Sequence, residues 1–286
     1  MQPILKWWDQ AFAGYDDDRA NAEYQQQLKR WKELAAVAKS EGNKAPPRPR
    51  KPEDPRTSRH RPACLYNGMI APLIPFGIRG VISYQGLGNL YWAQYSRVLL
   101  PTMIRDWRSH WGQGALPFGM VQPAPYPCDR WQKQRKDAYA LQRESQILVM
   151  DKLSRTGIAP TMDIGDLNDL HFTNKQAVGW RMAQWALATV YRQDVLYSGP
   201  IFELMETKNG KARIRFTHTA QGLTTSDGLA PTHFTIAGND QTFHPTIAVI
   251  KGKTVLVHSN QVAEPVAVRF AWCDQRHPGV PGRRNS

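Results

Sequence analysis

A run in which apolar side chains alternate, Ile158, Pro160, Met162 and Ile164, gives way at Gly165 to a short acidic loop and then to an amphipathic helix. Thr173 stands three residues before Gln176, the spacing of a capping box. Val178, Met182, Trp185 and Val190 then recur on one helical face. A strand handed to a helix in this way is part of a β-α-β unit, so the chain is expected to build a parallel sheet. Open sheets of that kind bind ligands beyond the carboxyl ends of their strands. The loop placed there carries Asp166, Asp169 and His171. An Asp-x-His spacing lets the carboxylate fix the tautomer of the imidazole, whose other nitrogen can then accept a proton.

The rest of the central region repeats the alternation. Strands are expected at Ile78–Tyr84 and Phe118–Gln122. Helices are expected from about Leu90, tolerating or restarting at Pro101, and over roughly Arg130 to Lys152. The prediction is a mostly parallel sheet with helices on both faces. After about Ser198 short alternating runs appear, such as ARIRFTHTA, HFTIAG, TIAVI, TVLVHS and VAVRFAW, separated by turns at Asn209-Gly210, Gly238-Asn239-Asp240 and Lys251-Gly252-Lys253. They predict a small antiparallel, sandwich-like β module over residues 199–273, after an α/β domain over 63–198. Residues 1–62 combine a charged helix at 17–42 with a proline-rich, semi-extended linker at 44–62. In that helix Tyr24, Leu28, Trp31, Leu34 and Val37 form only a thin apolar stripe. The tail 274–286 reads as disordered.

Net charge is +13, which raises the question of a nucleic-acid partner. Residues 1–60, the most basic-looking stretch, hold 12 Lys and Arg against 9 Asp and Glu. No paired zinc ligands and no aromatic RNA-binding signature accompany the charge, so a solvated basic surface is the expectation and no nucleic-acid partner is assigned. Cys64, Cys128 and Cys273 are odd in number and far apart, which suits neither a disulfide framework nor a zinc site. No apolar run approaches the roughly 20 residues of a membrane span. The opening MQPILKWWDQ lacks the pattern of a signal peptide.

A second informative loop, Gly86-Leu87-Gly88-Asn89, follows the first expected strand. Glycine allows close backbone approach to a ligand, and an asparagine amide can donate to a developing oxyanion. A tight turn with an asparagine helix cap explains the same residues. With Asp169 and His171 the loop would supply two of the three parts of an acyl-transfer site. The third, a nucleophile, is not found. Ser83 falls in a strand, Ser96 in a helix, Ser226 in a polar turn, and Cys64 reads as a small core residue. A metal site built from Asp163, Asp166, Asp169 and His171 is the alternative chemistry; neither a metal nor a cofactor is assigned.

The segments LYNGMIAPLIPFGIRGVISYQG, LLPTMIRDWRSHWGQGALPFGMVQPAPY and MDIGDLNDLHFTNKQAVGWRMAQWALA resemble, in that order, sialate O-acetylesterases and related carbohydrate acetylesterases of the SGNH hydrolase superfamily. The likeness is strong over about residues 62–200 and weaker to about 273. It implies a three-layer α/β/α domain with a flavodoxin-like sheet, and removal of O-acetyl groups from sugars through an acetyl-serine intermediate. On this chain it would make His171 the general base and Asp169 its orienter. Asn89 and Gly86, with Gly68 from a further block, would line the oxyanion hole. The family usually has Glu-Ser between the glycine and asparagine, where this chain has Leu87-Gly88. The block bearing the nucleophilic serine has no counterpart here, so the resemblance implies a sheet lacking its first strand and a chain inactive by itself, with an upstream chain as the source of serine. Family members are usually exported; the compartment of this chain is not fixed. A non-catalytic carbohydrate-binding or interaction protein derived from such an enzyme is the other reading.

Overall fold

The computed structural model describes residues 2–126 and 137–272, which divide after Phe76 into two compact units. Cys128, Cys273, the start of the expected helix at Arg130 and the expected tail fall outside them.

In the first unit, helices α1 (Gln2–Gly14) and α2 (Asp17–Ser40) precede the proline-rich stretch. The Asp16 carboxylate caps α2 by accepting from the Arg19 amide at 2.7 Å. The proline-rich stretch lies back along α2: the Trp31 indole donates to the Pro46 carbonyl at 2.8 Å, and Arg56 bridges Asp54 and Asp17. Helix α1 was not anticipated from the sequence, which marks its start with no capping residue and no acidic first turn.

The second unit opens with β1 (Val81–Ser83), a kinked 3-10 segment (Leu87–Tyr95) and α3 (Ser96–Trp111). Pro101 lies inside α3, in its second turn. Then come β2 (Phe118–Val121), α4 (Ala138–Lys152), β3 (Thr156–Ala159) and α5 (Lys175–Thr189). The three strands form a parallel sheet in the order β1-β2-β3. Alternate residues of β2 divide between two cores. Phe118 and Met120 pack with Leu100 and Ile104 of α3 and Val149 of α4, whereas Val121 joins Ala159 and the α5 residues Val178 and Met182.

Two details of the expected β3–α5 unit change. The strand ends at Ala159, because Pro160 has no amide to donate and the Thr161 carbonyl turns the chain by accepting from Ile164 and Gly165. Met162 and Ile164 therefore belong to a turn. The α5 cap is Asn174, whose side chain accepts from the Ala177 amide at 3.3 Å, in place of a Thr173–Gln176 box.

The remaining strands are β4 (Ile201–Lys208), β5 (Lys211–Thr217), β6 (Phe234–Ala237), β7 (His244–Pro245), β8 (Ile247–Lys251), β9 (Thr254–His258) and β10 (Ala267–Phe270). They make two antiparallel sheets, β4-β5-β9-β8 and β10-β6-β7, and Ile214, Val257, Phe234 and Ile236 of the two share one core. Asn209 and Gly210 both adopt positive φ, the type I′ geometry that closes the β4–β5 hairpin. The sequence pattern misses the two-residue β7 and also β4, whose residues IFELMETK leave most side chains exposed. Among the described residues no helix is long and apolar enough to cross a membrane.

Helix α5 seats on the parallel sheet through Trp185. Gly119 and Gly157 stand opposite each other on β2 and β3, and the indole lies against both. A Cβ on Gly119 would come within 2.8 Å of the ring, and one on Gly157 would overlap its pyrrole edge. Gly157→Ala is therefore expected to destabilise the second unit by about 3 kcal/mol, read as a lowered urea midpoint, with Trp185→Phe in the same chain recovering part of the loss.

Candidate functional site

Because β1, β2 and β3 run parallel, the loops that leave β1 and β3 emerge at the same end of the sheet. One residue visibly ties them. Lys175, at the start of α5, donates to the Tyr84 hydroxyl at 3.4 Å. Its ammonium lies 5.0 Å from the centre of the Tyr84 ring and 3.8 Å from that of Phe172. Tyr84 directly follows β1 and leads into Gly86; Phe172 directly follows His171. The two loops picked out in the sequence thus leave the same end of the sheet, with Lys175 between residues that flank them.

Within the first loop, Asn89 donates its backbone amide to the Gly86 carbonyl at 3.3 Å, closing a tight turn. Gly86 is buried and Asn89 half-buried. In the second loop, the Asp166 carboxylate accepts from the Asn168 amide and the Asp169 carboxylate from the His171 amide, each at 2.8 Å. Asp169 is thus engaged with the main chain of His171, and both side chains are exposed. Between this loop and the start of α5 lies a polar hollow of about 410 Å³ bordered by Asp166, Asn168, Thr173 and Asn174. Gly68 sits in a wide helical turn, Tyr66–Ile70, of the first unit.

The metal alternative finds no support in the geometry. Asp163 is held by Arg181, with a 2.7 Å contact from Nη1 to Oδ1, and among the described residues no three His, Cys, Asp or Glu side chains gather as a metal would need. The serines considered as nucleophiles are placed as follows. Ser83 lies within β1, and Ser96 is buried, donating to Gln142 Oε1 at 2.8 Å.

What the sequence reading missed is the polar face of α4. Gln142, Ser145 and Gln146 are almost wholly buried. Gln146 donates to the Val121 carbonyl at 3.2 Å and Gln122 to the Arg143 carbonyl at 3.2 Å, while Thr161 Oγ1 donates to the Gln122 carbonyl at 2.8 Å. Gln142 packs directly against Gly86, where a Cβ would meet its amide nitrogen at 3.4 Å, and that nitrogen has no hydrogen-bond partner among the described residues. A polar row therefore runs beneath the carboxyl ends of β2 and β3 to the Gly86 turn. The signal available in the sequence was three polar residues, Gln142, Ser145 and Gln146, at the i, i+3, i+4 spacing normally kept for a core face.

The α/β unit with its parallel sheet and the following antiparallel sheets are similar to a solved carbohydrate acetylesterase. That protein, from Xanthomonas citri, matches with a TM-score of 0.69 and 41% identity, over 74% of this chain and 49% of that one. The sialate O-acetylesterases of Homo sapiens and Pongo abelii are each 28% identical over 193 residues, 59% of this chain and 35% of theirs. That of Mus musculus is 28% identical over 184 residues. No protein-family model matches the chain. The chain is thus homologous to sialate O-acetylesterases and carbohydrate acetylesterases, and spans about a third of the mammalian relatives and about half of the bacterial one.

The polar row gives a direct test. Thr161→Val removes one buried hydroxyl and its bond to Gln122 while keeping the side-chain shape. The expected cost is about 1 to 3 kcal/mol, because the Gln122 carbonyl is left unpaired, seen as a lower denaturant midpoint with an unchanged slope.

Proposed function

We propose that the chain is the His- and Asn-bearing part of a sialate O-acetylesterase-like hydrolase of the SGNH type, acting on O-acetylated sugars. The observation that supports this reading is that the segments leaving β1 and β3 emerge at one end of the parallel sheet, where Lys175 contacts Tyr84 and Phe172. In the proposed mechanism a serine attacks the acetyl carbonyl while His171 takes its proton. Asn89 and the Gly86 backbone stabilise the oxyanion. His171 then returns the proton to the sugar oxygen, and water clears the acetyl-enzyme with His171 again as base. For that role the Asp169 carboxylate must leave the His171 amide and accept from the imidazole.

The nucleophile, in this proposal, is a serine outside these 286 residues, carried by a partner segment that adds a strand beside β1 and completes a three-layer α/β/α domain. The support is that among the described residues β1 pairs on one side only, and that Ile82, in its middle, is 61% exposed. A non-catalytic carbohydrate-binding role is the second reading, favoured by the engagement of Asp169 with the main chain.

Hydrolysis of an aryl acetate by the purified chain, beside His171→Ala and Asn89→Ala, tests the proposal. The expected result is no turnover above either variant, and turnover when the part of the Xanthomonas citri relative that this chain does not cover is added. The restored activity should fall about 100- to 1000-fold with Asn89→Ala. Turnover by the chain alone that both substitutions abolish would place the nucleophile inside it and overturn the divided-site proposal.

A further inference from the structure

A cavity of the second unit, about 930 Å³, contains none of the residues assigned to the acetylesterase site. It opens between α4 with the turn after β3 on one side and the two antiparallel sheets on the other. A hydrogen bond from Arg143 to the Ala271 carbonyl, 3.3 Å, spans the two walls. Its volume is that of a small-molecule site, and its lining is dominated by aromatic and aliphatic side chains, among them Phe202, Phe216, Phe270 and Trp272.

The charges in it are unevenly balanced. Both acids on the wall are countered from outside the cavity, Glu144 by Arg97 and Asp163 by Arg181. Arg269 is held between rings, its guanidinium carbon 3.8 Å from the centre of Phe243 and 4.3 Å from that of Trp272. Among the described residues no carboxylate pairs with Arg269, whose contacts are the two rings. An apolar body with one anionic group satisfies such a lining. A free sugar does not, because most of its hydroxyls would be buried against carbon.

We infer that this cavity binds an amphipathic carboxylate, an acyl or aryl acid whose apolar body lies on the Phe and Trp side chains and whose carboxylate pairs with Arg269. The inference is independent of the esterase reading, since it uses none of those residues and no turnover.

The test is calorimetric titration of the purified chain with laurate below its micelle concentration, and with dodecyltrimethylammonium, which has the same tail and the opposite charge. The expected result is saturable one-to-one binding of laurate, at least tenfold weaker binding of the cation, and roughly tenfold loss of laurate affinity in Arg269→Gln, the effect of removing one charge-assisted contact. Phe202→Glu, at a side chain 61% exposed and so free of core cost, should also weaken laurate while leaving the circular dichroism unchanged. No saturable laurate binding, equal binding of the two surfactants, or laurate affinity unchanged in both variants would overturn the inference. So would binding of glucuronate in preference to laurate.

Discussion

Everything at the working end of the parallel sheet depends on how closely α5 lies against it. The Trp185 indole occupies a slot made by two facing glycines, Gly119 and Gly157, which leaves it almost wholly buried. With side chains at either glycine the helix would have to lift, and the core of Val121, Ala159, Val178 and Met182 would open with it. The start of α5 would move too. Lys175 reaches Tyr84 and Phe172 only because the helix is pinned at that depth. A packing contact in the body of the helix thus sets the separation of two loops at its end.

The polar face of α4 is the second constraint. Burying Gln142, Ser145 and Gln146 costs desolvation that apolar residues would not incur; Ser145 and Gln146 donate to main-chain carbonyls of the 3-10 segment and β2, and Gln142 accepts from the Ser96 hydroxyl. The helix gains register from this, since sliding it by a turn would orphan each bond. It also gives the Gly86 turn a polar floor where an aliphatic one would be ordinary. The amide nitrogen of Gln142, buried and unpartnered beside that turn, is the point where the fold has kept a donor in reserve next to the candidate oxyanion loop.

The β module is held to the α/β part around a cavity instead of a packed seam. Its aromatic wall comes from strands whose alternation was plain in the sequence, Phe216 on β5 and Phe270 on β10, and from β4, which was not. The unbalanced Arg269 lies on β10 between two rings that are distant from each other in sequence, Phe243 and Trp272. No spacing rule would have grouped them.

The sequence by itself determined the local order of this protein. Periodicity marked β2, α5 and most strands of the β module, Asn209-Gly210 announced its hairpin, and the Gly86–Asn89 and Asp169–His171 loops stood out by composition, because these depend on residues within a turn or two of one another. It misplaced the end of β3, where alternation continued through Pro160 although a missing amide stopped the pairing. It also missed the buried polarity of α4, since nothing in a helix reveals which neighbours will satisfy its amides. Only the tertiary structure decided that Lys175 reaches Tyr84, that Asp163 is held by Arg181, and that an aromatic cavity lies between the two halves of the second unit. These join residues 18 or more positions apart in the chain, and such distances become short only when burial of apolar surface has fixed where the helices lie.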